Sequence, residues 1–340
     1  MGSDVGAPRR VLLVKTSSMG DVVHALPVVA DIRAALGAVT IDWLVEEAYA
    51  PLLRAHPGVD RVIELALRRW RRTPCAPETR QQWRALLAQL RQQRYDVVID
   101  LQGLVKSAAV ARLARGEHVG LSWASVREPL AALFYARRMR TSRGRTEAAV
   151  PRCRELAAWA LHYTPQGAPR YGLLVDAEHP DWVGGGAYAV LLSATAKPRK
   201  LWEETNWIGL AETLHARGLC SVFAWGNAAE RERAERLRQA VDARCGAGAA
   251  CLAPQAFALD AWMQVLRAAA LVVGVDTGLL YLGAAVGTPA VAIHAGSSPH
   301  SVDFESAAPW RCLGDDGAPP SLDAVLEAVA SVLAAGQGAR

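Results

Sequence analysis

Apolar runs of strand length alternate with segments of helical length along the first part of the chain, and this alternation limits the fold more than any other feature. RRVLLVK (9–15), VTIDWLVEE (39–47) and YDVVIDL (95–101) are typical of strands buried on both faces. Between them, residues 22–36 and 78–94 have the apolar spacing of helices. Strands and helices that alternate in this way predict βαβ units and therefore a parallel sheet.

A second series of the same kind follows a segment rich in Pro and Gly at 165–186. Its predicted strands are 187–194, 219–225, 271–275 and 290–295, and its predicted helices are 203–217, 227–243, 259–269 and 321–336. A chain of 340 residues exceeds the usual size of one hydrophobic core. We therefore predict two doubly wound α/β domains, 1–175 and 176–340, with ligands at the carboxyl ends of their strands. Whether the last helix packs back on the N-terminal domain is left open.

The composition argues against several classes of protein. No stretch reaches the roughly eighteen uninterrupted apolar residues that a membrane span requires. The start, MGSDVGAPRR, has no apolar signal region. The six cysteines are scattered without a CxxC pair, which fits reduced thiols better than a disulfide framework or a zinc site. We expect a cytoplasmic protein with no structural metal.

Positive charge is concentrated in the first half of the chain. Residues 1–165 carry 25 Lys and Arg against 15 Asp and Glu, whereas the remainder carries 13 against 18. The arginines cluster in RRWRR at 68–72 and in the set Arg137, Arg138, Arg140, Arg143 and Arg145. Nucleic acid, anionic lipid headgroups and a phosphorylated substrate all fit such a surface, and a solvated arginine-rich face is the alternative. Nucleic acid is the least favoured, because no RNP, helix-turn-helix or aromatic-interleaved pattern is present.

The apolar run LVVGV passes directly into Asp276-Thr277-Gly278, and the segment LLYLGAAVG that follows reads as a helix. The first N–H groups of a helix have no partner within it and carry the positive end of its dipole, so they stabilise a phosphate. Asp276, at the end of the strand, is placed to hold a sugar hydroxyl beside that phosphate. The alternative is that these residues only cap the helix.

Another loop of small residues, KTSSMGD (15–21), joins the first strand to the first helix. Its hydroxyl and amide groups offer a cradle for a polar ligand, and Gly20 allows close approach of the backbone. The spacing matches neither the Walker A loop nor GxGxxG, which argues against nucleotide hydrolysis of that type. Asp21 is the candidate general base, with a simple capping role as the alternative. His24, on the same helix face, is interpreted as a packing or orienting group.

Three loops of the second half carry further candidates. SATA (193–196) and the cations that follow suit a diphosphate, and Lys200 is placed to approach the leaving oxygen; an exposed cationic loop is the alternative. Glu230, in the first turn after Trp225-Gly226-Asn227, can accept both hydroxyls of a ribose, or it only complements the helix dipole. Phe257 can stack on a base, or it belongs to the core.

The segment REPLAALFYARRMR (127–140) is basic and amphipathic, so it fits the surface of an anionic lipid membrane. A buried helix with cationic ends explains the same pattern.

Seven segments combine these features: VLLVKTSSMGDVVHALP, IDWLVEE, LRRWRR, VVIDLQGLVKSA, SVREPLAALFY, KLWEETNW and VVGVDTGLLYLGAAVGTP. Together, over roughly residues 9–330, they closely resemble the bacterial lipopolysaccharide heptosyltransferases, the ADP-heptose enzymes of glycosyltransferase family 9. The resemblance implies an α/β fold of the GT-B type, with two Rossmann-like domains facing a central cleft. It also implies a peripheral enzyme on the cytoplasmic side of the inner membrane and no nucleic-acid partner.

The activity that the resemblance implies is an inverting, metal-independent transfer of L-glycero-D-manno-heptose from ADP-heptose to the Kdo of Kdo2-lipid A. ADP-heptose is a co-substrate in this scheme, and no cofactor is required. A related enzyme that adds to a heptose acceptor is the alternative, and the arginine-rich half favours the more anionic acceptor.

The resemblance also assigns residues, with Asp21 as the general base. Its donor-binding positions are Thr195 and Lys200 at the diphosphate, Glu230 at the ribose, Phe257 near the adenine, and Asp276, Thr277 and Gly278 at the heptosyl diphosphate. Its acceptor-binding positions are Lys15, Ser18, Arg68, Arg69, Arg71, Arg72, Lys106 and Arg127. The chain departs from the family pattern at two positions. Tyr281 stands where the pattern usually has His, and Ala196 replaces a second Thr.

Overall fold

In a computed structural model of the protein, residues 10–337 are described, and the chain divides between Leu173 and Leu174 into two compact units. The interpretation of the first residues as lacking a signal region concerns residues 1–9, which lie outside the described range. Among the described helices, none is both long enough and apolar enough to cross a membrane.

Within the described part of the first unit, six strands form one parallel sheet in the order β3-β2-β1-β4-β5-β6. They are β1 (Arg10–Val14), β2 (Thr40–Glu46), β3 (Arg61–Leu65), β4 (Arg94–Asp100), β5 (Arg115–Leu121) and β6 (Arg137–Met139). β1 lies between β2 and β4, and its residues 11–14 are completely buried. A strand covered on both faces must be apolar throughout, which is why the sequence predicted it.

The helices of the first unit are α1 (Met19–Ala25), α2 (Pro27–Leu36), α3 (Ala50–Arg54), α4 (Leu67–Trp70), α5 (Pro77–Gln92), α6 (Val105–Ala111) and α7 (Ala149–Leu161). The single helix predicted over 22–36 is wrong, because the structure has two helices there. Pro27 has no N–H with which to continue the hydrogen bonds of α1, but its fixed backbone angle suits the first position of α2.

Three strands of the first sheet were not predicted, namely β3, β5 and β6. β3 and β6 lie at the sheet edges, and β3 and β5 carry exposed carboxylates, Glu64 and Glu117, so none of the three is a long apolar run. The segment 127–140 is not the buried helix that was the alternative to a segment on a lipid surface. It forms a short 3₁₀ helix at Pro129–Phe134 and then β6, because Pro129 starts a tight turn and the following residues pair with β5.

The second unit repeats this plan, with a parallel sheet in the order β12-β11-β10-β7-β8-β9. Its described strands are β7 (Tyr188–Leu192), β8 (Cys220–Phe223), β9 (Ala250–Leu252), β10 (Leu271–Val275), β11 (Ala290–His294) and β12 (Trp310–Gly314). Counted from β9 inwards, the strand order is that of the first sheet. The edge strands β9 and β12 were not predicted, since β9 has only three residues and β12 is partly exposed.

The helices of the second unit are α8 (Glu204–Ala216), α9 (Ala228–Cys245), α10 (Leu259–Ala268), α11 (Gly278–Ala285) and α12 (Leu322–Gln337). α12 buries Val325, Val329 and Val332 in the hydrophobic core of the second unit. This packing accounts for its apolar face, whose partner the sequence left open.

Two tryptophans anchor the loop that follows β7. The rings of Trp202 and Trp207 pack edge to face, with centroids 5.2 Å apart, and both are buried. Such a pair contributes about 1 kcal/mol beyond the area that it buries. The Trp202 indole N–H also donates to the Pro320 carbonyl at 2.9 Å. The loop between β7 and α8 therefore has a fixed end.

In each sheet the direction of winding reverses between two central strands, β1 and β4 in the first unit and β7 and β10 in the second. Ligands of doubly wound sheets bind outside the carboxyl ends of the strands at such a switch point. The loops there are the ones that the sequence analysis selected, residues 15–18 and 101–104 in the first unit and 193–203 and 276–277 in the second.

Candidate active site

A glutamine joins the two switch-point loops of the first unit. The side-chain oxygen of Gln102, which follows β4, accepts hydrogen bonds from the Thr16 and Ser17 N–H groups, both at 3.0 Å. Gln102 is buried, and its own N–H donates to Asp100 at 2.8 Å. The loop after β1 is thus held to the end of β4 before any ligand binds. Gln102 could not be identified from the sequence, because only the adjacency of β1 and β4 gives it this role.

Asp100 lies beneath that junction and is 1% exposed. It accepts hydrogen bonds from the Tyr135 hydroxyl at 2.7 Å and the Ser107 hydroxyl at 2.9 Å, besides backbone N–H groups. Burial raises the pKa of the Asp100 carboxyl, although these hydrogen bonds act to lower it. It has no access to a reacting group, so its role is to brace the loops.

Asp21 lies in the first turn of α1. Its Oδ2 accepts hydrogen bonds from the N–H and the hydroxyl of Ser18, both at 3.0 Å, and its Oδ1 lies 4.0 Å from Lys15 Nζ. Burial alone would raise its pKa, but Lys15, the Ser18 N–H and His24 lower it by more, so the net pKa lies below the ordinary value. The side chain is 24% exposed. Asp21 is therefore an ionised, reachable carboxylate that also caps its helix.

Lys15, at the start of the loop 15–21, is buried rather than exposed at the surface of that loop. Its ammonium group donates to the Leu101 carbonyl at 2.9 Å, and its side chain is 2% exposed. Its charge thus acts on Asp21 through space. Lys106, by contrast, is exposed and approaches the Ser17 hydroxyl at 3.5 Å. Arg127 is exposed as well, in the loop before the 3₁₀ helix.

The arginines of RRWRR at 68–72 follow the edge strand β3. Two of them are held by neighbouring side chains and two are exposed. The Arg68 guanidinium lies over the Tyr49 ring at 5.5 Å. The Arg69 guanidinium binds both oxygens of Glu47, at 3.1 and 2.8 Å. Arg71 and Arg72 are exposed. An anion approaching this edge would therefore meet Arg71 and Arg72 without displacing an internal carboxylate.

Asp276 is the centre of the second unit's site, at the carboxyl end of β10. Its Oδ2 accepts hydrogen bonds from the Lys200 ammonium and from the Ser297 hydroxyl at 2.7 Å, and its Oδ1 accepts from the Tyr281 hydroxyl at 2.8 Å. Burial acts to raise the pKa of Asp276, but the hydrogen bonds from Lys200 and Ser297 bring it to about 2. Lys200 and Asp276, which the sequence analysis assigned separately, form one ion pair. Ser297 was missed because it follows a different strand, β11.

The start of α11 lies directly after this carboxylate. Thr277 is the N-cap residue with extended backbone angles, and Gly278 is the first residue of the helix. The Thr277 hydroxyl oxygen is buried and has no hydrogen-bond partner among the described residues. Unpaired N–H groups, a free hydroxyl and a lysine at one helix end form a suitable environment for a phosphate.

The loop between β7 and α8, which carries Thr195, Ala196 and Lys200, is braced by an arginine of α9. The Arg233 guanidinium donates to the Ser193 carbonyl at 3.3 Å, to the Trp202 carbonyl at 2.9 Å and to Glu204 at 2.8 Å. Thr195 is half-buried and Ala196 is exposed. Lys200 ends a short 3₁₀ helix within this braced loop. Arg233 gave no signal in the sequence, because it is one of many arginines on a charged helix.

Glu230 lies in the first turn of α9, which follows β8, and Phe257 lies on the loop after β9; both have local contacts. The Glu230 carboxylate accepts a hydrogen bond from the Gly226 N–H at 2.8 Å, and its N–H donates to the Asn227 side chain at 3.1 Å. This is a capping arrangement for α9. The Phe257 ring packs against Trp182 and Trp262, with centroid distances of 5.7 and 5.5 Å.

Within residues 10–337, no group of three or more His, Cys, Asp or Glu side chains is arranged to hold a metal ion. At the end of β10, positive charge comes from Lys200 and from the amino end of α11.

Comparison with known proteins adds independent findings. The family model described as glycosyltransferase family 9 (heptosyltransferase) matches residues 83–311. Lipopolysaccharide heptosyltransferase 1 of Escherichia coli K12 is 40% identical over 292 residues, which cover 85% of this chain and 89% of that protein. The enzyme of the same name from Pseudomonas aeruginosa is 40% identical over 296 residues, covering 85% and 79%.

Solved structures give the same result for the fold. E. coli heptosyltransferase WaaC with ADP superposes with a TM-score of 0.82 at 36% identity, covering 95% of this chain and 99% of that one. The same enzyme with ADP-2-deoxy-2-fluoro heptose gives a TM-score of 0.77 at the same identity and coverage. The predicted α/β fold class of the GT-B type is confirmed.

Proposed function

Because the chain belongs to glycosyltransferase family 9, the heptosyltransferases, we propose that it transfers L-glycero-D-manno-heptose from ADP-heptose to the Kdo of Kdo2-lipid A. Membership of the family makes it a glycosyltransferase of lipopolysaccharide core biosynthesis. The observation that carries the choice of donor is the Lys200–Asp276 pair at the start of α11.

The donor is proposed to bind at the carboxyl ends of β7 and β10. The diphosphate would lie against Lys200 and the N–H groups at Thr277 and Gly278, with Asp276 receiving a sugar hydroxyl. The solved relatives carry ADP and an ADP-heptose analogue, which supports this class of ligand. Glu230 at the ribose, Phe257 near the adenine and Thr195 at the diphosphate complete the proposed donor site.

The transfer itself follows from the charges described. The acceptor hydroxyl oxygen forms a bond to the anomeric carbon, and its proton passes to Asp21. The bond from that carbon to the β-phosphate oxygen breaks, and ADP leaves with the electron pair. Lys200 and the dipole of α11 stabilise the charge that gathers on ADP, which is why we propose that no metal is needed. Attack opposite the leaving group inverts the anomeric configuration.

The acceptor is proposed to bind the first unit. Kdo carboxylates and lipid A phosphates are anionic, and the exposed cations Arg71, Arg72, Lys106 and Arg127 offer complementary charge. Arg68, Arg69, Lys15 and Ser18 belong to the same proposed region. Arg69 contributes least by direct contact, because Glu47 already occupies its guanidinium.

We also propose that the protein is peripheral on the cytoplasmic face of the inner membrane. In a 3₁₀ helix, residues three apart lie above one another, so Leu130 and Leu133 share one face. They are 61% and 62% exposed, and the exposed Arg127 and Arg140 lie on either side of them in the sequence. Exposed leucines flanked by arginines fit an anionic lipid surface.

The experiment that tests the proposal is incubation of the protein with ADP-heptose and Kdo2-lipid A while ADP release is followed. Release that depends on both substrates is expected. Release only with a heptose-terminated acceptor would support the related heptosyltransferase instead. ADP binding without release on either acceptor would leave only a donor-binding fold.

A further inference from the structure

Two of the six cysteines, which are scattered in the sequence, lie side by side in the folded chain. Cys220 is the first residue of β8 and Cys251 the middle residue of β9, and their sulfur atoms are 3.7 Å apart. All six cysteines are free thiols in this structure. β7 separates β8 from β10 in the sheet, so the pair lies outside the site at Asp276, and the proposed reaction uses neither sulfur.

The strand register places both side chains on one face of the sheet. Cys251 is opposite Val222, and Cys220 lies two residues before Val222 on the same strand. Cys220 is therefore the diagonal neighbour of Cys251, and the spacing of strands and residues in a sheet puts such Cα atoms about 8 Å apart. A disulfide requires roughly 4.4–6.8 Å. Closing a bond between these sulfur atoms thus requires β9 to slide along β8 by roughly 2 Å.

The position of β9 permits such a movement. It has three residues, lies at the edge of the sheet, and has β8 as its neighbour. The loop before it contains Gly246 and Gly248, whose φ angles are +100° and +90°. Among the described residues, no atom beyond the adjacent ones lies within 4 Å of a Cβ placed at either position. Glycines in open space can absorb a small shift of the strand that follows them.

The two thiols differ in reactivity. Each is partly exposed, so a small reagent can reach it. The hydrogen bond between the two thiols lowers the pKa of Cys220, against the opposite effects of burial and of Asp242. The same hydrogen bond, together with burial, raises the pKa of Cys251. Since the thiolate is the attacking form, Cys220 reacts first and Cys251 second.

We propose that Cys220 and Cys251 form a site of reversible oxidation, at which a low-molecular-weight disulfide converts the two thiols into a disulfide bond and so weakens donor binding. The Cys220 thiolate attacks one sulfur of the reagent, which gives a mixed disulfide and releases the first reagent thiolate. The Cys251 thiolate then attacks the Cys220 sulfur, the protein disulfide forms, and the second reagent thiolate leaves. The protein gives up two electrons and two protons, and the reagent is reduced to two thiols.

β8 and β9 lead into the segments that are proposed to hold the nucleotide. The Trp225 indole N–H, after β8, donates to the Ala253 carbonyl, after β9, at 2.6 Å. Phe257 follows Ala253 in the same loop. A slide of β9 carries Ala253 with it, so it breaks this hydrogen bond and displaces Phe257. The effect on donor binding rests on the proposed function, whereas formation of the disulfide does not.

The first test detects the bond directly. The reduced full chain is incubated with bis(2-hydroxyethyl) disulfide under native conditions, the remaining thiols are alkylated, and the peptides are analysed by mass spectrometry. We expect a peptide pair that is linked through Cys220 and Cys251 and that dithiothreitol separates. Cys245→Ser is the matched control, because Cys245 is another partly exposed cysteine of the second unit, and this variant should give the same linked pair.

Two results would overturn the inference. One is a mixed disulfide with the reagent that persists at Cys220 in the wild type. The other is a linked pair that forms only in unfolded protein, which a thermal unfolding curve of the treated sample identifies. Cys251→Ser should stop at the mixed disulfide, because it lacks the second thiol.

Calorimetry with ADP measures the consequence for the donor site. Treatment with the reagent should raise the Kd for ADP about fivefold in the wild type and in Cys245→Ser, the size of effect that one lost hydrogen bond gives. The Kd of Cys220→Ser should not change, although the exposed Cys75 and Cys312 still react. A linked pair without a change in Kd would overturn the effect on donor binding. If the reduced wild type binds no ADP, the proposed function fails, while the linked peptide still tests the disulfide.

Discussion

The two units have the same strand order, yet the carboxylates at their switch points differ in how they are neutralised. Asp276 is in direct contact with Lys200 and is 15% exposed. Asp21 lies 4.0 Å from its lysine, is 24% exposed, and is held mainly by Ser18. A carboxylate bound by a cation is fixed and a poor base, whereas one that keeps an open oxygen can accept a proton. Under the proposed function, Asp276 would be the carboxylate that positions other groups and Asp21 the one that accepts a proton.

The units also differ in what they offer an anion. In the first, Arg71 and Arg72 are exposed after β3, and Arg127, Leu130 and Leu133 are exposed between β5 and β6. In the second, the cation at the site is half-buried and already paired. Under the proposed function, the first unit would receive the large anionic acceptor and the second the diphosphate of the donor.

The largest expected effect tests Asp21 as the carboxylate that accepts a proton. Asp21→Ala should lower kcat by about 10²–10⁴-fold, since a general base contributes on that order, and leave the Kd for ADP unchanged. Steady-state kinetics and calorimetry measure the two quantities. Near-normal turnover would remove Asp21 from the role of base and with it the contrast between the two carboxylates. Asp21→Asn, which keeps the shape, should be equally slow.

The next prediction concerns Asp276 as the carboxylate that positions other groups. The pKa of Asp276 falls from 3.8 to about 2 on folding, so its charge stabilises the fold above about pH 4, and this contribution is lost as the pH falls towards 2. Lys200→Met should therefore cost up to roughly 2 kcal/mol of unfolding free energy at pH 7, since one pKa unit is about 1.36 kcal/mol.

Denaturant unfolding at pH 7 and pH 2.5 measures this cost, which should shrink at the lower pH. The control is Arg199→Met on the same loop, whose ion pair with Asp316 is 59% and 61% exposed. An exposed pair contributes about 0–1 kcal/mol. An equal loss in the two variants would mean that Lys200 and Asp276 are no more tightly coupled than surface charges.

A third, smaller effect concerns the exposed leucines. The double variant Leu130→Ser, Leu133→Ser should bind vesicles of anionic phospholipid about tenfold more weakly, because two apolar side chains no longer enter the bilayer surface. Vesicle co-sedimentation measures the binding. Leu174→Ser in the second unit, at a residue 71% exposed, is the control and should change nothing. If the double variant and Leu174→Ser weakened vesicle binding equally, Leu130 and Leu133 would not form a membrane-binding surface.

The smallest expected effects distinguish the exposed arginines at 71 and 72 from Arg69. The double variant Arg71→Ala, Arg72→Ala should raise the KM for the acceptor by about 3–10-fold at low salt, and the difference should shrink as salt screens the charges. Arg69→Ala should have less effect, because Glu47 already binds that guanidinium. The Kd for ADP should not change in any of them. A parallel loss of donor affinity would show that the acceptor and donor surfaces are assigned to the wrong units.

Much of the fold could be predicted from the sequence, for a physical reason. Central strands such as β1 and β10 are buried on both faces, so they must be unbroken apolar runs. The missed strands β3, β5, β6, β9 and β12 lack such a run, because all but β5 lie at a sheet edge and β3, β5 and β6 carry charged residues. The break between α1 and α2 was missed because the apolar period continues through Pro27.

The sequence by itself determined which loops carry polar groups, because a strand that ends in Asp-Thr-Gly or in Lys-Thr-Ser-Ser must present those groups at the sheet's carboxyl edge. Only the tertiary structure decided which of those groups meet. Gln102 reaches Thr16 because β4 lies beside β1, and Ser297 joins His294 to Asp276 because β11 lies beside β10. Strand order is set by packing among distant segments, and no local pattern of residues records it.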